Sequence, residues 1–344
     1  MSTKRKIAVC VMSRANFGRL KSVIKNIVDH DELELQLILG ASFYNEEVEF
    51  PVASRIQCLL NSDDHAGMVI TTGLLLTQIT QEFQRLNPDI VLVHGDRYEV
   101  LACATAAAYM NIALAHTEGG EETGCIDDKV RHAITALADI HFPVTNRAAS
   151  SLFDYDYEHE LPKVGIFVVG SPALDIVKQS KLKMENKKDY ILVLHHPNTT
   201  EEESIEPLVE ALSEIDMHKI WVNPNVDAGN KKILKKIHSQ NVEFKKNLPP
   251  EEYYKLLANC KCAVGNSSSF IKEGSFLGTP AVLIGNRQQD RETGFNVEVF
   301  IKNDKESIKL AIEKQIDTGS MIAPSNKFGD GESGKKIANI LAEV

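Results

Sequence analysis

Asp96, Glu118, Asp127 and His196 are the residues whose types and positions suit proton chemistry. Asp96 follows the apolar run 90–93, Glu118 follows the run 112–115 and His196 follows the run 190–194. Asp127 stands just ahead of a helical stretch at 128–137. Groups of this kind gathered at strand ends can take a proton from one atom and give one to another. Each also has a plainer reading, since Asp96 and Asp127 are good helix N-caps in their own right. Four such groups at loop positions tip the balance toward chemistry.

A second constellation suits an anion. Gly265-Asn266-Ser267-Ser268-Ser269 follows a short apolar strand and precedes a helical stretch at 270–277. Small residues there let backbone N–H groups approach a phosphate, and a helix N-terminus adds favourable partial charge. Serine is equally at home as an N-cap, so both readings stand on the local motif. Glu273 would repel a phosphate and fits ribose hydroxyls better; otherwise it is an exposed helical residue. Arg287 and Arg291 follow the next strand and suit pyrophosphate, although Arg291 could simply pair with Asp290 or Glu292. Arg14, in the first loop, is a third cation. That loop, Ser13-Arg14-Ala15-Asn16-Phe17-Gly18, lacks Gly-x-Gly-x-x-Gly, which disfavours a nicotinamide cofactor.

The elements that position these groups alternate. Buried-strand runs at 7–12, 33–39, 90–93 and 112–115 are interleaved with helical patterns at 20–27, 78–86, 99–111 and 128–137. The pattern restarts after a lysine-rich stretch, 178–188, which reads as a linker. Strands at 190–194, 219–222, 262–264 and 281–284 follow, with helices at 206–215 and 229–239. The expected fold class is α/β, two Rossmann-like domains, 1–177 and 189–333, facing across a cleft lined by the carboxyl ends of both sets of strands.

Bulk properties bound the function. The chain has 344 residues, long for one core. Its formal net charge of −10 opposes broad binding to nucleic acid or an acidic membrane surface. The six cysteines form no regular framework, and Cys10, Cys103, Cys260 and Cys262 sit in apolar runs as expected of reduced, buried thiols. Cys260-Lys261-Cys262 lacks a second ligand pair, so no metal site is expected. No apolar run is long enough for a membrane span, and a cytoplasmic location is expected.

Taken in order, the motifs resemble a known family. They are His94-Gly95-Asp96-Arg97, His116-Thr117-Glu118-Gly119-Gly120-Glu121, Gly124-Cys125-Ile126-Asp127-Asp128 with Arg131-His132, His196-Pro197, Pro224-Asn225-Val226-Asp227-Ala228-Gly229, Gly265-Asn266-Ser267-Ser268, and Arg287-Gln288-Gln289-Asp290-Arg291-Glu292-Thr293-Gly294. The set is similar to the hydrolysing UDP-N-acetylglucosamine 2-epimerases of sialic-acid biosynthesis, over about residues 8 to 331. The resemblance implies the glycosyltransferase-B type of fold, with a final helix, 334–344, packing back on the first domain. It implies release of UDP and N-acetylmannosamine through a 2-acetamidoglucal, with no cofactor. Asp96, Glu118 and Asp127 would be the acid–base carboxylates and His196 the associated histidine. Arg14, Asn16, Arg97, Asn225, Gly265, Asn266, Ser267, Ser268, Glu273 and Arg287 would contact the nucleotide sugar. The family commonly forms dimers or tetramers.

Two departures bear on the sugar. Relatives often carry an acidic residue and a tyrosine where this chain has Asn16 and Phe17, and a histidine where it has Ser42-Phe43-Tyr44. Asn16 keeps hydrogen-bonding capacity without charge. Related enzymes act on 2,4-diacetamido-trideoxy sugars. Non-hydrolysing relatives tend to have Gly-Thr-Arg-Pro-Glu in the first loop and Glu-Ala-Gly-Leu-Arg-Thr later. Ser13-Arg14-Ala15-Asn16 and Glu118-Gly119-Gly120-Glu121-Glu122-Thr123 favour the hydrolysing branch.

Overall fold

The computed structural model describes residues 4–59, 64–159, 165–180, 188–198, 203–224, 230–238, 242–246, 248–300, 303–318 and 322–344. Most of the stretch expected as a linker, 181–187, lies outside them. The chain forms two units. One comprises Met1–Glu121, Asp127–Ile176 and Gly329–Val344; the other comprises Glu122–Ile126 and Val177–Phe328.

In the first unit, β1 (Arg5–Val11), α1 (Arg14–Val28), β2 (Leu33–Gly40), β3 (Val52–Ile56), α2 (His65–Leu86), β4 (Ile90–His94), α3 (Tyr98–Tyr109), β5 (Ala113–Thr117), α4 (Asp127–Leu137), β6 (Ile140–Phe142), α5 (Asn146–His159), β7 (Gly165–Ile166) and α6 (Ala173–Gln179) follow one another. The unit boundary falls within α6. The strands form one parallel sheet in the order β3-β2-β1-β4-β5-β6-β7. Residues 7 to 11 of β1 are all buried. Alternate strand side chains face opposite sides, and here each side has its own core. Ile7, Val9 and Val11 pack with Leu20, Val23, Ile24 and Ile27 of α1. Ala8 and Cys10 pack with Leu75, Ile79 and Phe83 of α2 and with Val100 and Ala104 of α3.

The second unit holds β8 (Lys188–Leu194), α7 (Glu206–Ser213), β9 (His218–Val222), α8 (Asn230–His238), β10 (Glu243–Lys245), α9 (Pro250–Asn259), β11 (Cys260–Gly265), α10 (Lys272–Leu277), β12 (Ala281–Ile284), β13 (Val297–Phe300) and α11 (Lys305–Thr318). Its parallel sheet runs β10-β9-β8-β11-β12-β13. Both units are therefore Rossmann-like doubly wound sheets, as the alternating pattern predicts. In each, the strand order reverses between the first and fourth strands, β1/β4 and β8/β11, where such sheets bind ligands at their carboxyl ends.

The last helix, α12 (Ser333–Glu343), belongs to the first unit. Ile337, Ala338 and Leu341 join the α1 core. Arg5 Nη1 donates to the carbonyls of Leu341 (2.8 Å) and Ala342 (3.0 Å) at its C-terminal end. Asp175 accepts from the N–H groups of Ser333 (2.8 Å) and Gly334 (2.6 Å) at the other end. These contacts satisfy backbone groups that a helix leaves unpaired.

Several elements differ from the sequence pattern. α2 starts at His65 rather than 78, and β13 follows β12 although 281–284 reads as the last strand. After Gly265 the chain makes a 3₁₀ turn, Ser268–Phe270, and the regular helix α10 begins only at Lys272. The Ser267 hydroxyl accepts from the Ser269 N–H and holds that tighter turn. No helix among the described residues is long and apolar enough to cross a membrane. None of the cysteines is in a disulfide, and all but Cys125 are buried.

Candidate active site

In the first unit the expected residues gather at the carboxyl ends of adjacent strands. β4 and β5 pair in register up to His94 opposite Thr117, so the loops carrying Asp96 and Glu118 leave the sheet side by side. Glu118 breaks from the strand with φ of +63°, in the left-handed region. A non-glycine residue held there costs on the order of 1 kcal/mol or more, and such positions cluster at functional sites. Its carboxylate is buried, 4 % exposed. Oε1 accepts from the Ser171 hydroxyl at 2.8 Å and Oε2 from Arg19 Nη1 at 3.1 Å. His94 Nε2 lies 3.9 Å from Oε2, and His94 Nδ1 is 2.8 Å from the Thr117 hydroxyl.

Asp96 does not cap α3: the N-cap is Arg97, with no side-chain cap bond. The Asp96 carboxylate instead pairs with Arg131, which also binds Asp128 and donates to the Glu121 carbonyl at 2.8 Å. Arg131 is buried, while Asp96 keeps about a quarter of its side chain exposed. That arrangement suits a carboxylate presented to a ligand from a fixed cationic seat. Asp127 is the first residue of α4 and half-buried.

The other first-unit residues are engaged within the unit. Arg97 makes two hydrogen bonds to buried Glu99, at 3.0 and 3.1 Å. Arg14 is exposed and paired with Glu46 at 3.2 Å, a contact worth at most about 1 kcal/mol. Asn16 is buried; its N–H donates to the Ser13 hydroxyl, which donates to the Asn16 carboxamide oxygen at 3.1 Å. This exchange fixes the start of α1.

In the second unit, Asn266 ties the two central strand ends together. Its carboxamide accepts from the His196 N–H (2.7 Å) and donates to the His196 carbonyl (2.9 Å). Arg287 Nη1 donates to the Asn266 carbonyl at 3.1 Å. Ser267 and Ser269 hydroxyls lie 2.8 Å apart, and Tyr253 bonds to Ser269. Burial raises the Tyr253 phenol above its ordinary value, so it stays protonated and able to donate. Glu273 is buried, 3 % exposed, which removes its reading as a surface residue. Ser268 opens the 3₁₀ turn and is half-buried. Asn225 lies outside the described residues.

Gly265 is required by its backbone. With φ of +141°, a Cβ would fall 2.0 Å from the Leu194 carbonyl oxygen of the neighbouring strand.

The sequence pattern points to His196 but not to His195 beside it. His195 is buried, and its Nδ1 has no hydrogen-bond partner among the described residues. Burial, and then the nearby Arg287 charge, hold its pKa down to about 4 from an ordinary 6.5. The unfolded chain binds the proton first, so this contribution to stability is present above pH 6.5. It is lost as pH falls from there toward 4, at a cost on the order of 3 kcal/mol. His195→Gln is expected to flatten the fall in thermal midpoint over that window. An unchanged pH slope in thermal scans would refute this.

Arg131 and Arg19 sit in helical stretches without marking themselves as partners of Asp96 and Glu118. Ser171 and Tyr253 carry no motif at all. Of these, only Arg131 leaves a local trace, three residues after Asp128 on α4. Among the described residues, no group of three or more His, Cys, Asp or Glu is placed to hold a metal ion.

Known proteins with this architecture share it over nearly the whole chain. A UDP-N-acetylglucosamine 2-epimerase of Methanocaldococcus jannaschii, solved in complex with UDP-GlcNAc and UDP, superposes with a TM-score of 0.81 at 20% identity, covering 98% of this chain and 100% of that one. In sequence, a UDP-N,N'-diacetylbacillosamine 2-epimerase (hydrolyzing) of Legionella pneumophila is 29% identical over 99% of this chain and 96% of that protein. A UDP-N-acetylglucosamine 2-epimerase of Neisseria meningitidis serogroup B is also 29% identical, over 96% of this chain and 92% of that protein. The family model described as UDP-N-acetylglucosamine 2-epimerase matches residues 25–342, and the chain belongs to that family.

Proposed function

We propose that the protein is a hydrolysing 2-epimerase that converts UDP-N-acetylglucosamine and water to N-acetylmannosamine and UDP. The observation that carries this reading is Glu118, a buried carboxylate on a left-handed backbone, fixed at both oxygens beside the strand end that presents Asp96. The C2 proton of the sugar is weakly acidic, so its removal needs a positioned base. As that proton leaves, the C1–O bond to UDP breaks and a C1–C2 double bond forms, giving a 2-acetamidoglucal. Water then adds its oxygen to C1 and a proton to C2 on the opposite face. Asp96, Glu118 and Asp127 share these proton transfers, with His196 associated. UDP gathers negative charge as it departs, and Arg287, Ser267, Ser268 and the backbone around Gly265 stabilise it.

A second reading takes the same reaction on a UDP-2,4-diacetamido-trideoxy sugar. It is favoured by the Legionella relative's near-complete coverage and by Asn16, which is neutral where relatives are often acidic. The two are separated by initial rates of UDP release from each nucleotide sugar, offered singly at equal concentration. Faster release from UDP-N-acetylglucosamine supports the first reading. A rate at least tenfold higher on the 2,4-diacetamido sugar replaces it with the second.

A further inference from the structure

The segment that leads from β7 into the first turn of α6 joins two features that the reaction does not by itself connect. At one end, Ser171 donates to Glu118. At the other, Asp175 receives the first N–H groups of α12 and the Ser22 hydroxyl, the last at 2.6 Å. Asp175, Ser171 and Ser333 are all at most 1 % exposed, and all three lie in the first unit.

The second donor to Glu118 leads to the same place. Arg19 and Ser22 are three residues apart on α1 and so share a face. Arg19 holds Glu118 Oε2, and Ser22 is held by Asp175. Both of these donors therefore sit on segments that Asp175 also holds, α1 through the Ser22 hydroxyl and the chain four residues after Ser171 through Asp175 itself, and Asp175 is bonded to the C-terminal segment. Two further contacts press that segment onto the Ser171 loop. The Ser333 hydroxyl donates to the Val169 carbonyl at 2.9 Å. Gly329, with φ of +129°, lies so close that a Cβ there would stand 3.0 Å from Gly170 Cα and 3.2 Å from Ser171 N. The Glu118 N–H still bonds to the Phe142 carbonyl at 3.1 Å, but its left-handed backbone ends the strand there, and these donors then help set the direction of the side chain.

We propose that Ser171 is a positioning residue for Glu118, and that the C-terminal segment 329–334 sets it by docking on the 169–175 segment, which runs into α6, through Asp175 and Ser333. The inference rests on the assignment of Glu118 to the proton transfers above. Docking of the C-terminal helix thus orients the carboxylate as well as closing the α1 core.

The test uses the full chain with UDP-N-acetylglucosamine and three variants. Ser171→Ala is expected to lower kcat about tenfold or more, leaving KM and UDP affinity within about twofold. Ser171→Thr, which restores a hydroxyl, should recover most of the loss. Ser333→Ala should lower kcat by a smaller factor, again without moving KM. A second readout needs no substrate. In protein labelled with ¹³C-glutamate, the Glu118 carboxyl resonance, identified by its loss in Glu118→Gln, should move in Ser171→Ala and, less, in Ser333→Ala. An unmoved resonance in Ser171→Ala overturns the proposal, and so does a normal kcat in that variant when Glu118→Gln is inactive. If Glu118→Gln itself keeps its rate, or the sugar is not turned over, the assignment of Glu118 or of the substrate fails. The resonance still decides whether the segment positions the side chain.

Discussion

Glu118→Gln is expected to lose about 10²- to 10⁴-fold in turnover, the usual reach of one acid–base group, while binding UDP as the parent protein does. The substitution keeps the shape of the side chain. The Gln carbonyl can accept from Arg19, and its amide can donate to the Ser171 hydroxyl, which accepts as readily as it donates. The fold around the position is therefore kept, while the capacity to take a proton is gone. UDP affinity is expected to be spared because Gly265, Ser267, Ser268 and Arg287 belong to the other unit, and Arg14, the phosphate-binding candidate of the first unit, is paired with Glu46. Steady-state UDP release together with calorimetry of UDP binding separates the two effects. A variant turning over within a few-fold of the parent would remove Glu118 from the chemistry.

The second large effect is in the loop proposed to hold the phosphates. Gly265→Ala is expected to destabilise the protein by roughly 2–4 kcal/mol, since it adds a backbone clash to a left-handed strain. The clash cannot be relieved by a side chain moving aside. It is with the Leu194 carbonyl of β8, and the Asn266 carboxamide clips the following His196 N–H and carbonyl to the same loop. Strand β8 and the serine turn must separate to admit a methyl group, so UDP affinity should fall at least tenfold. Gly73→Ala is the matched control: it lies in α2 with nothing within 4 Å of the added carbon. That change should be neutral or stabilising by up to about 1 kcal/mol. Thermal unfolding and calorimetry of both variants check the pair, and a Gly265→Ala protein with parental stability and affinity would contradict the account.

The central strands were legible because they are covered on both faces, which leaves short uninterrupted apolar runs such as 7–12 and 90–93. Edge strands were not. β7 has two residues, and β10 and β13 carry charged residues within three or four positions. The first turns of α2 were hidden because Val69, Ile70 and Leu74 are exposed and two glycines interrupt the pattern. At the site, positions were readable and partners were not. Asp96 and Glu118 announce themselves by following strands, but Arg131 is 35 residues from the first and Ser171 is 53 from the second. Only the folded sheet brings these pairs together. Asn266 shows the opposite limit. Within a Gly-Asn-Ser-Ser motif it reads as a ligand contact, yet its carboxamide is spent on the His196 backbone. What the carboxamide gives the loop is its shape.

The most direct test of the central claim is NMR of the products formed from UDP-N-acetylglucosamine in D₂O. Free UDP and N-acetylmannosamine are expected in equal amounts, with solvent deuterium at C2, because water adds across a C1–C2 double bond after UDP has left. Intact UDP-N-acetylmannosamine, or UDP released only when a sugar acceptor is supplied, would contradict that claim.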